Sequence, residues 1–463
     1  MMKAIPQPAL PLIKTGIAEM VWPSVPSGIA AALIAQLYQL EQSQWLSRQA
    51  LLERQLLQLA PLTSHASRHS PFYRQLFDQF AFEASDPWSE ERLMRLPLLT
   101  RQTLIEQSAS IDCSVVPKAH EPSASVHTSG STGQIVEVKR TALNKLMWMA
   151  LTLRDHFWHQ RDFSQSAAFI RANVKAQDDD AVARKEGWGS PLSLLFETGP
   201  AYRQPESLGV REQAAWLLRR DPRYLLIYPT NLNALLDEFV RMGRFPSNLK
   251  EVRTIGETFS AGLKARCEND FALKTVDVYS AQEVGVIALQ CPVSGLYHVQ
   301  AESLIVEVLN DEGTPCKEGE IGRVVVTDLH NFATPLIRYE IRDYAEVGGA
   351  CPCGRGLPTL KRIVGRQRNM VTLPDGSRHW PTVGIRAFRE IAPIRQFQAV
   401  QHSVDAVEMK LVVDAPLTGE QEKLLRTVIQ SALGYPFTLR FSYHEAELPK
   451  TQGGKFEEFI SLV

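Results

Sequence analysis

The feature that most constrains the fold is a change of texture near residue 222. From there to about residue 330, short β-rich runs dominate, at 224–228, 251–255, 275–279, 304–309 and 323–327. Helical stretches at 231–242 and 261–270 separate the first three. Strand–helix–strand alternation predicts an α/β sheet whose chemistry sits on loops at the strand ends. After Gly365-Arg-Gln-Arg-Asn369 the chain starts again on a smaller scale, with a strand at 406–413, an amphipathic helix at 419–433 and a strand at 437–443. The 463 residues exceed one ordinary domain. The expected division is a large domain over 1–364 and a small α+β domain over 365–463.

Upstream, residues 1 to about 26 read as an irregular, proline-interrupted lead-in. Residues 27–82 predict helix, with the apolar stretch from Gly28 to Leu40 continuing through Leu51 to Leu59 and an interruption at Pro71. Residues 141–158 again have helical spacing.

Lys plus Arg number 50 and Asp plus Glu 51, so no global field favours nucleic acid or an anionic membrane. A phosphate site must then be built from backbone amides and a few placed cations. No apolar run approaches the roughly 20 residues a spanning helix needs. Six scattered cysteines are too few for a disulfide framework, which predicts a reducing, cytoplasmic setting.

The strongest local signal is Thr128-Ser-Gly-Ser-Thr-Gly133. Its two glycines permit successive amides to face one concavity, and its four hydroxyls add donors, which is chemistry for a polyphosphate. It is not a Walker loop, because Gly-x-x-x-x-Gly-Lys-Ser/Thr is absent. The strand-like Ile135-Val-Glu-Val-Lys139 follows, so the loop lies between strands; read alone, it could equally be a polar hairpin tip.

Four further motifs follow in order: Tyr279-Ser-Ala-Gln-Glu-Val-Gly285, Pro335-Leu-Ile-Arg-Tyr-Glu-Ile-Arg-Asp343, Gly365-Arg366 and Leu448-Pro-Lys-Thr-Gln-Gly-Gly-Lys455. Together these resemble the adenylate-forming superfamily of acyl-CoA synthetases, luciferases and adenylation domains. Ser70-Pro-Phe-Tyr-Arg74, Pro335-Leu-Ile-Arg-Tyr339 and Cys351-Pro-Cys-Gly-Arg355 resemble its phenylacetate–CoA ligase-like branch. The resemblance runs from about residue 50 to the end. It implies a large multi-layer α/β domain and a small mobile α+β domain. The implied reaction is ATP-dependent activation of a carboxylic acid, aromatic or otherwise apolar, to an acyl-adenylate.

By that resemblance Ser129, Gly130, Ser131, Thr132 and Gly133 hold the β- and γ-phosphates, and Glu283 ligates Mg²⁺. Gln282 stands where the family usually has a threonine on the α-phosphate, which leaves that contact open. Tyr279 and Ser280 flank adenine, and Gly256 and Glu257 line adenine and the acid. Asp343 accepts the ribose hydroxyls; the alternative is an ion pair with Arg338 or Arg342. Arg366 contacts ribose or phosphate at the domain junction. Arg368 and Asn369 follow it where acidic residues are usual, so the hinge is altered. Lys455 reaches the carboxylate and α-phosphate from the small domain, with Lys450 as its competitor.

Cys291, His298, Cys351 and Cys353 form a second set, reading Cys-x6-His and Cys-x-Cys-Gly. Two such pairs match a closed tetrahedral structural Zn²⁺ site; the alternative is three ordinary cysteines and a surface histidine. Cys113, Cys267 and Cys316 look unrelated. Phe196, Tyr202, Tyr228 and Phe259 are candidate acid-pocket residues. The acyl acceptor is coenzyme A, with an amine or a carrier-protein thiol as alternatives, because 373–381 departs from the usual ligase pattern. A non-catalytic scaffold is the reading from another class, and both a monomer and a homodimer remain open.

Overall fold

The computed structural model describes residues 12–82, 86–127, 136–172, 174–366, 370–379, 388, 391–413, 415–446, 448–449 and 456–463. Strands β1 (Ser123–His127) and β2 (Glu137–Thr141) pair antiparallel as a hairpin, with His127 opposite Glu137. The hydroxyl- and glycine-rich segment lies in sequence between these two strands. Its residues 128–135, including Ser129 to Gly133, lie outside the described set.

The α/β alternation begins before residue 222. Strands β3 (Ala167–Arg171), β4 (Ala201–Pro205), β5 (Tyr224–Ile227), β6 (Glu251–Ile255) and β7 (Lys274–Ala281) pair in parallel, in the order β4-β3-β5-β6-β7. Helices cover both faces, so the strands are apolar on both sides rather than alternating. Ala142–Trp158 contributes Met149, Leu153 and Trp158 to a core shared with Ala167 and Val278. Trp216 and Leu235, from Val210–Arg220 and Pro229–Met242, pack with Ile170 and Leu225 on the other side. Pro229 opens its helix and Gly243, at φ 60°, ends it.

Past β7 the sheet becomes antiparallel. Strands β8 (Gly285–Gln290), β9 (Tyr297–Val299), β10 (Leu304–Leu309), β11 (Ile321–Asp328), β12 (Tyr339–Val347) and β13 (Thr359–Arg366) extend it in the order β7-β8-β9-β13-β12-β11-β10. Strand β13 is therefore inserted between β12 and β9, with Thr359 opposite His298 and Asp343 opposite Arg366.

Two short strands, β14 (Val371–Thr372) and β15 (Arg378–His379), follow the large sheet. The second domain is a four-stranded sheet of β16 (Ile394–Ser403), β17 (Ala406–Val413), β18 (Thr438–His444) and β19 (Phe459–Ser461), in the order β18-β17-β16-β19. The expected helix is Gly419–Leu433, capped by a reciprocal Thr418–Gln421 box and ended by Gly434 at φ 67°. Leu425, Ile429 and Leu433 bury against Phe397, Met409 and Phe437.

The continuous helix expected from residue 27 to Pro71 is not formed. The chain makes Gly28–Ser43, then Arg48–His69, then Pro71–Gln79. The break at 44–47 has a tertiary cause. The Gln44 side-chain carbonyl accepts from Trp158 Nε1 (3.0 Å) and Arg355 Nε (2.7 Å), and Ser47 caps the next helix through the Ala50 amide (3.2 Å). Pro71 does interrupt, as the first residue of the third helix.

Candidate active site and metal centre

The site is built where β7 turns into β8. Gln282, Glu283 and Val284 form a three-residue connection, and Gly285 takes φ 84° to close it. The β7–β8 register shifts between Tyr279 and Ser280. Such a bulge re-aims the neighbouring side chains.

Glu283 is buried, and its Oε1 lies 3.1 Å from Arg101 Nη1. Arg101 reaches it because the 97–101 segment docks on β12: Leu99 donates to the Arg338 carbonyl (2.9 Å) and accepts from the Glu340 amide (2.9 Å). Thr100 then caps the helix beginning at Arg101. Arg140, at the end of the hairpin leg leaving the loop, donates to the Val284 carbonyl at 3.3 Å. A Cβ on Gly285 would meet its guanidinium at 3.1 Å, so glycine serves both the turn and this close approach. Burial lowers the Arg140 pKa against the pull of Asp328 and Glu283.

The hairpin leg is pinned beside this turn. The Lys139 amide donates to Thr334 Oγ1 (3.0 Å), its carbonyl accepts from Asn331 Nδ2 (3.0 Å), and its ammonium pairs with Asp112 (2.7 Å). Neither Arg101 nor Arg140 belongs to a motif that marks it for the site. Arg140 directly follows the 135–139 run, but nothing in residue order ties either arginine to residue 283.

Asp343 faces the same mouth. It accepts the Tyr279 hydroxyl at 2.9 Å, and its other oxygen lies 3.5 Å from Arg366 Nε. Of the alternative partners, Arg338 pairs with Glu307 at 2.8 Å, and Asp343 pairs across the strands with Arg366. Arg338 and Arg342 hold left-handed backbone, at φ 51° and 67°. That is uncommon for residues bearing side chains and is often found at sites. Burial, then the adjacent Asp343 carboxylate, hold the Tyr279 hydroxyl well above its ordinary pKa, so it remains a donor. For Arg366 burial alone would lower the pKa; Asp343, Glu457, Glu283 and Tyr279 reverse this and raise it.

Gly256 (φ 78°) and Glu257 follow β6. Glu257 accepts from the Thr230 amide (2.9 Å) and hydroxyl (2.8 Å), and from the backbone amide of Phe456 (3.0 Å). Phe456 follows Lys455 in the chain; Lys455 and Lys450 lie outside the described residues, as do Arg368 and Asn369. Ser280 follows Tyr279 near the end of β7, and Gln282 sits in the turn before Glu283. Of the candidate acid-pocket residues, Phe196 is in the core with Phe157 and Phe163, and the Tyr202 hydroxyl is committed to Asp180 (3.0 Å). Tyr228, whose hydroxyl accepts from the Ala172 amide (3.3 Å), and Phe259 stand at strand ends.

Cys291, His298, Cys351 and Cys353 converge, with all four ligand atoms within 4.8 Å of one another. Cys291 Sγ and Cys351 Sγ are 3.6 Å apart, and Cys353 Sγ is 3.3 Å from His298 Nε2. Sulfurs on a tetrahedron of zinc–sulfur bonds of about 2.3 Å stand about 3.8 Å apart, so the set fits zinc. His298 Nδ1 faces the Leu357 carbonyl at 3.4 Å, which leaves Nε2 free to ligate. Burial alone would raise the Cys291 thiol; hydrogen bonding with His298 and from the backbone of Ser294 and Val293 holds it below its usual value, toward thiolate. The long spacing between the pairs is resolved by β13, which carries the 348–358 loop beside β8 and β9.

This two-part α/β body, with its bent mixed sheet and strand-end constellation, has the fold of a solved acyl-CoA ligase. In sequence it is similar to phenylacetate-coenzyme A ligases. Residues 379–461 match the CapK C-terminal domain. The chain is 26% identical over 401 residues to phenylacetate-coenzyme A ligase of Thermus thermophilus, covering 83% of this chain and 87% of that one. To the enzyme of the same name from Pseudomonas putida it is 25% identical over 419 residues, covering 82% and 88%. In fold it superposes on 2-hydroxyisobutyryl-CoA ligase, solved in the postadenylation state with R3-HIB-AMP, at a TM-score of 0.71, with 18% identity and 91% of each chain covered. Among the described residues, no helix is long and apolar enough to cross a membrane.

Proposed function

We propose that the chain activates a carboxylic acid with ATP and passes the acyl group to the thiol of coenzyme A. In the first step an acid oxygen attacks the α-phosphorus, and the bond to pyrophosphate breaks. In the second the thiol sulfur attacks the acyl carbon, and AMP leaves with the bonding electron pair. The supporting observation is that Tyr279, Glu283, Asp343 and Arg366 share one strand-end mouth, where the segment following Lys455 also arrives. Asp343, oriented by Tyr279 and Arg366, accepts from the ribose hydroxyls. The 128–133 loop holds the β- and γ-phosphates. Glu283 offers a hard oxygen to Mg²⁺, which when bound neutralises phosphate charge. Lys455 supplies a cation where negative charge develops.

The aromatic character of the acid rests on the relatives' printed substrate and on Tyr228 and Phe259 at the strand ends. The Cys291–His298–Cys351–Cys353 set holds one structural Zn²⁺, away from the chemistry. The test is carboxylate-dependent exchange of labelled pyrophosphate into ATP across a panel of acids, followed by product mass with coenzyme A, an amine or a carrier protein. Exchange with an apolar acid and a coenzyme A thioester are expected. An amide or carrier-bound product replaces the acceptor, and no exchange with any acid sinks the reading in favour of a scaffold.

A further inference from the structure

One carboxylate, that of Glu257, joins the two domains. On the large domain it is held by the amide and hydroxyl of Thr230. From the small domain it receives the Phe456 amide at 3.0 Å. Phe456 is not a loose tail. Its ring packs with Val412 and Leu448, the next two carbonyls accept from Gln398 Nε2 (3.0 Å) and the Ala399 amide (2.8 Å), and Phe459 enters β19. A donor rooted in the small-domain sheet therefore reports that domain's orientation to a fixed acceptor on the large one.

We infer that Glu257 is a positioning residue: its carboxylate latches the Phe456 amide and so selects the domain arrangement that delivers Lys455, one peptide bond upstream, for adenylation. This rests on the function proposed above. A carboxylate acceptor strengthens the bond, and when the Phe456 amide departs the Thr230 amide still donates to Oε2 while the Thr230 hydroxyl can donate to Oε1. Release of the Phe456 amide thus leaves the carboxylate with donors on its own domain, as a reversible contact between domains requires. Because the latch favours one arrangement, it should matter to the half-reaction that needs the lysine and not to the one that follows.

The test uses the full chain with Glu257→Ala and Glu257→Gln, the latter keeping one carbonyl acceptor. Hydrogen exchange at the Phe456 amide should be slow in the native chain and at least tenfold faster in Glu257→Ala. Pyrophosphate exchange should fall at least tenfold further than thioester formation from supplied acyl-adenylate and coenzyme A, with Glu257→Gln intermediate in both measurements. Unchanged amide protection overturns the contact. Intact amide sensitivity with equal losses in the two half-reactions overturns the positioning role. A native chain that exchanges no pyrophosphate with any acid overturns the enzymatic reading itself, while the amide measurement still reports on the contact.

Discussion

The Tyr279 hydroxyl donates to the Asp343 carboxylate at 2.9 Å, although their strands stand four places apart in the sheet. Across a flat sheet that separation is about 19 Å, at about 4.8 Å per strand. The antiparallel half must therefore bend back over the end of β7. Register shifts at Tyr344/Ala345 and at Tyr279/Ser280 mark where it does so.

Tyr279→Phe deletes that donor and leaves Asp343 with Arg366. A hydrogen bond to a carboxylate contributes about 1.5 kcal/mol or more, which corresponds to about tenfold in affinity. The KM for ATP in pyrophosphate exchange should rise about tenfold with kcat little changed. An unchanged KM would discard Asp343 as the ribose acceptor.

Glu283→Gln removes a metal-ligating charge while keeping its shape, so exchange should drop at least 100-fold and recover partly at high Mg²⁺. Arg101→Ala instead leaves the Glu283 carboxylate without its 3.1 Å partner. Loss of one partner of a buried pair costs about 3–5 kcal/mol, so this variant should melt several degrees lower. Thermal melts with and without Mg²⁺ separate the two effects.

Lys455→Ala should abolish carboxylate-dependent exchange with the melting temperature unchanged. Lys450→Ala, treated the same way, should keep it. The reverse result would transfer the role to Lys450.

Protein purified without chelator should carry about one zinc per chain. Cys353→Ser should lose most of it and melt about 5 °C or more lower, since metal binding is coupled to folding. Zinc content far below one in the native chain contradicts the site.

Asp277 is buried, hydrogen-bonded by Thr254 (2.6 Å) and Tyr297 (2.9 Å), and burial raises its pKa to about 6. The folded state then holds this proton more tightly than the unfolded one, so stability falls as pH rises from about 4 to 6. His159 and His330, lowered by burial to about 4, act in the opposite direction over the same range. Asp277→Asn removes only the falling contribution. It should raise stability at pH 8 by about 2–3 kcal/mol and change it little at pH 4. Equal effects at both pH values, followed by denaturant melts, would contradict a buried charge at 277.

Much of the fold is legible in the sequence because its signals are local. The 419–433 helix carries its own cap and stop in Thr418 and Gly434, and 251–255 is strand by residue type alone. The break at Gln44 is not legible, because its cause is Arg355 and Trp158. The order of motifs identifies the candidate residues, yet Arg101 went unseen, since it meets Glu283 from 182 positions away.

By itself the sequence determined many of the elements and the residue types available for chemistry, because propensity, capping and periodicity act over a few neighbours. Only the tertiary structure decided which of those residues meet. Inserting β13 between β12 and β9 joins the distant Cys291/His298 and Cys351/Cys353 pairs, and bending the sheet joins Tyr279 to Asp343. Both depend on strand order and curvature, which arise from packing between segments far apart along the chain.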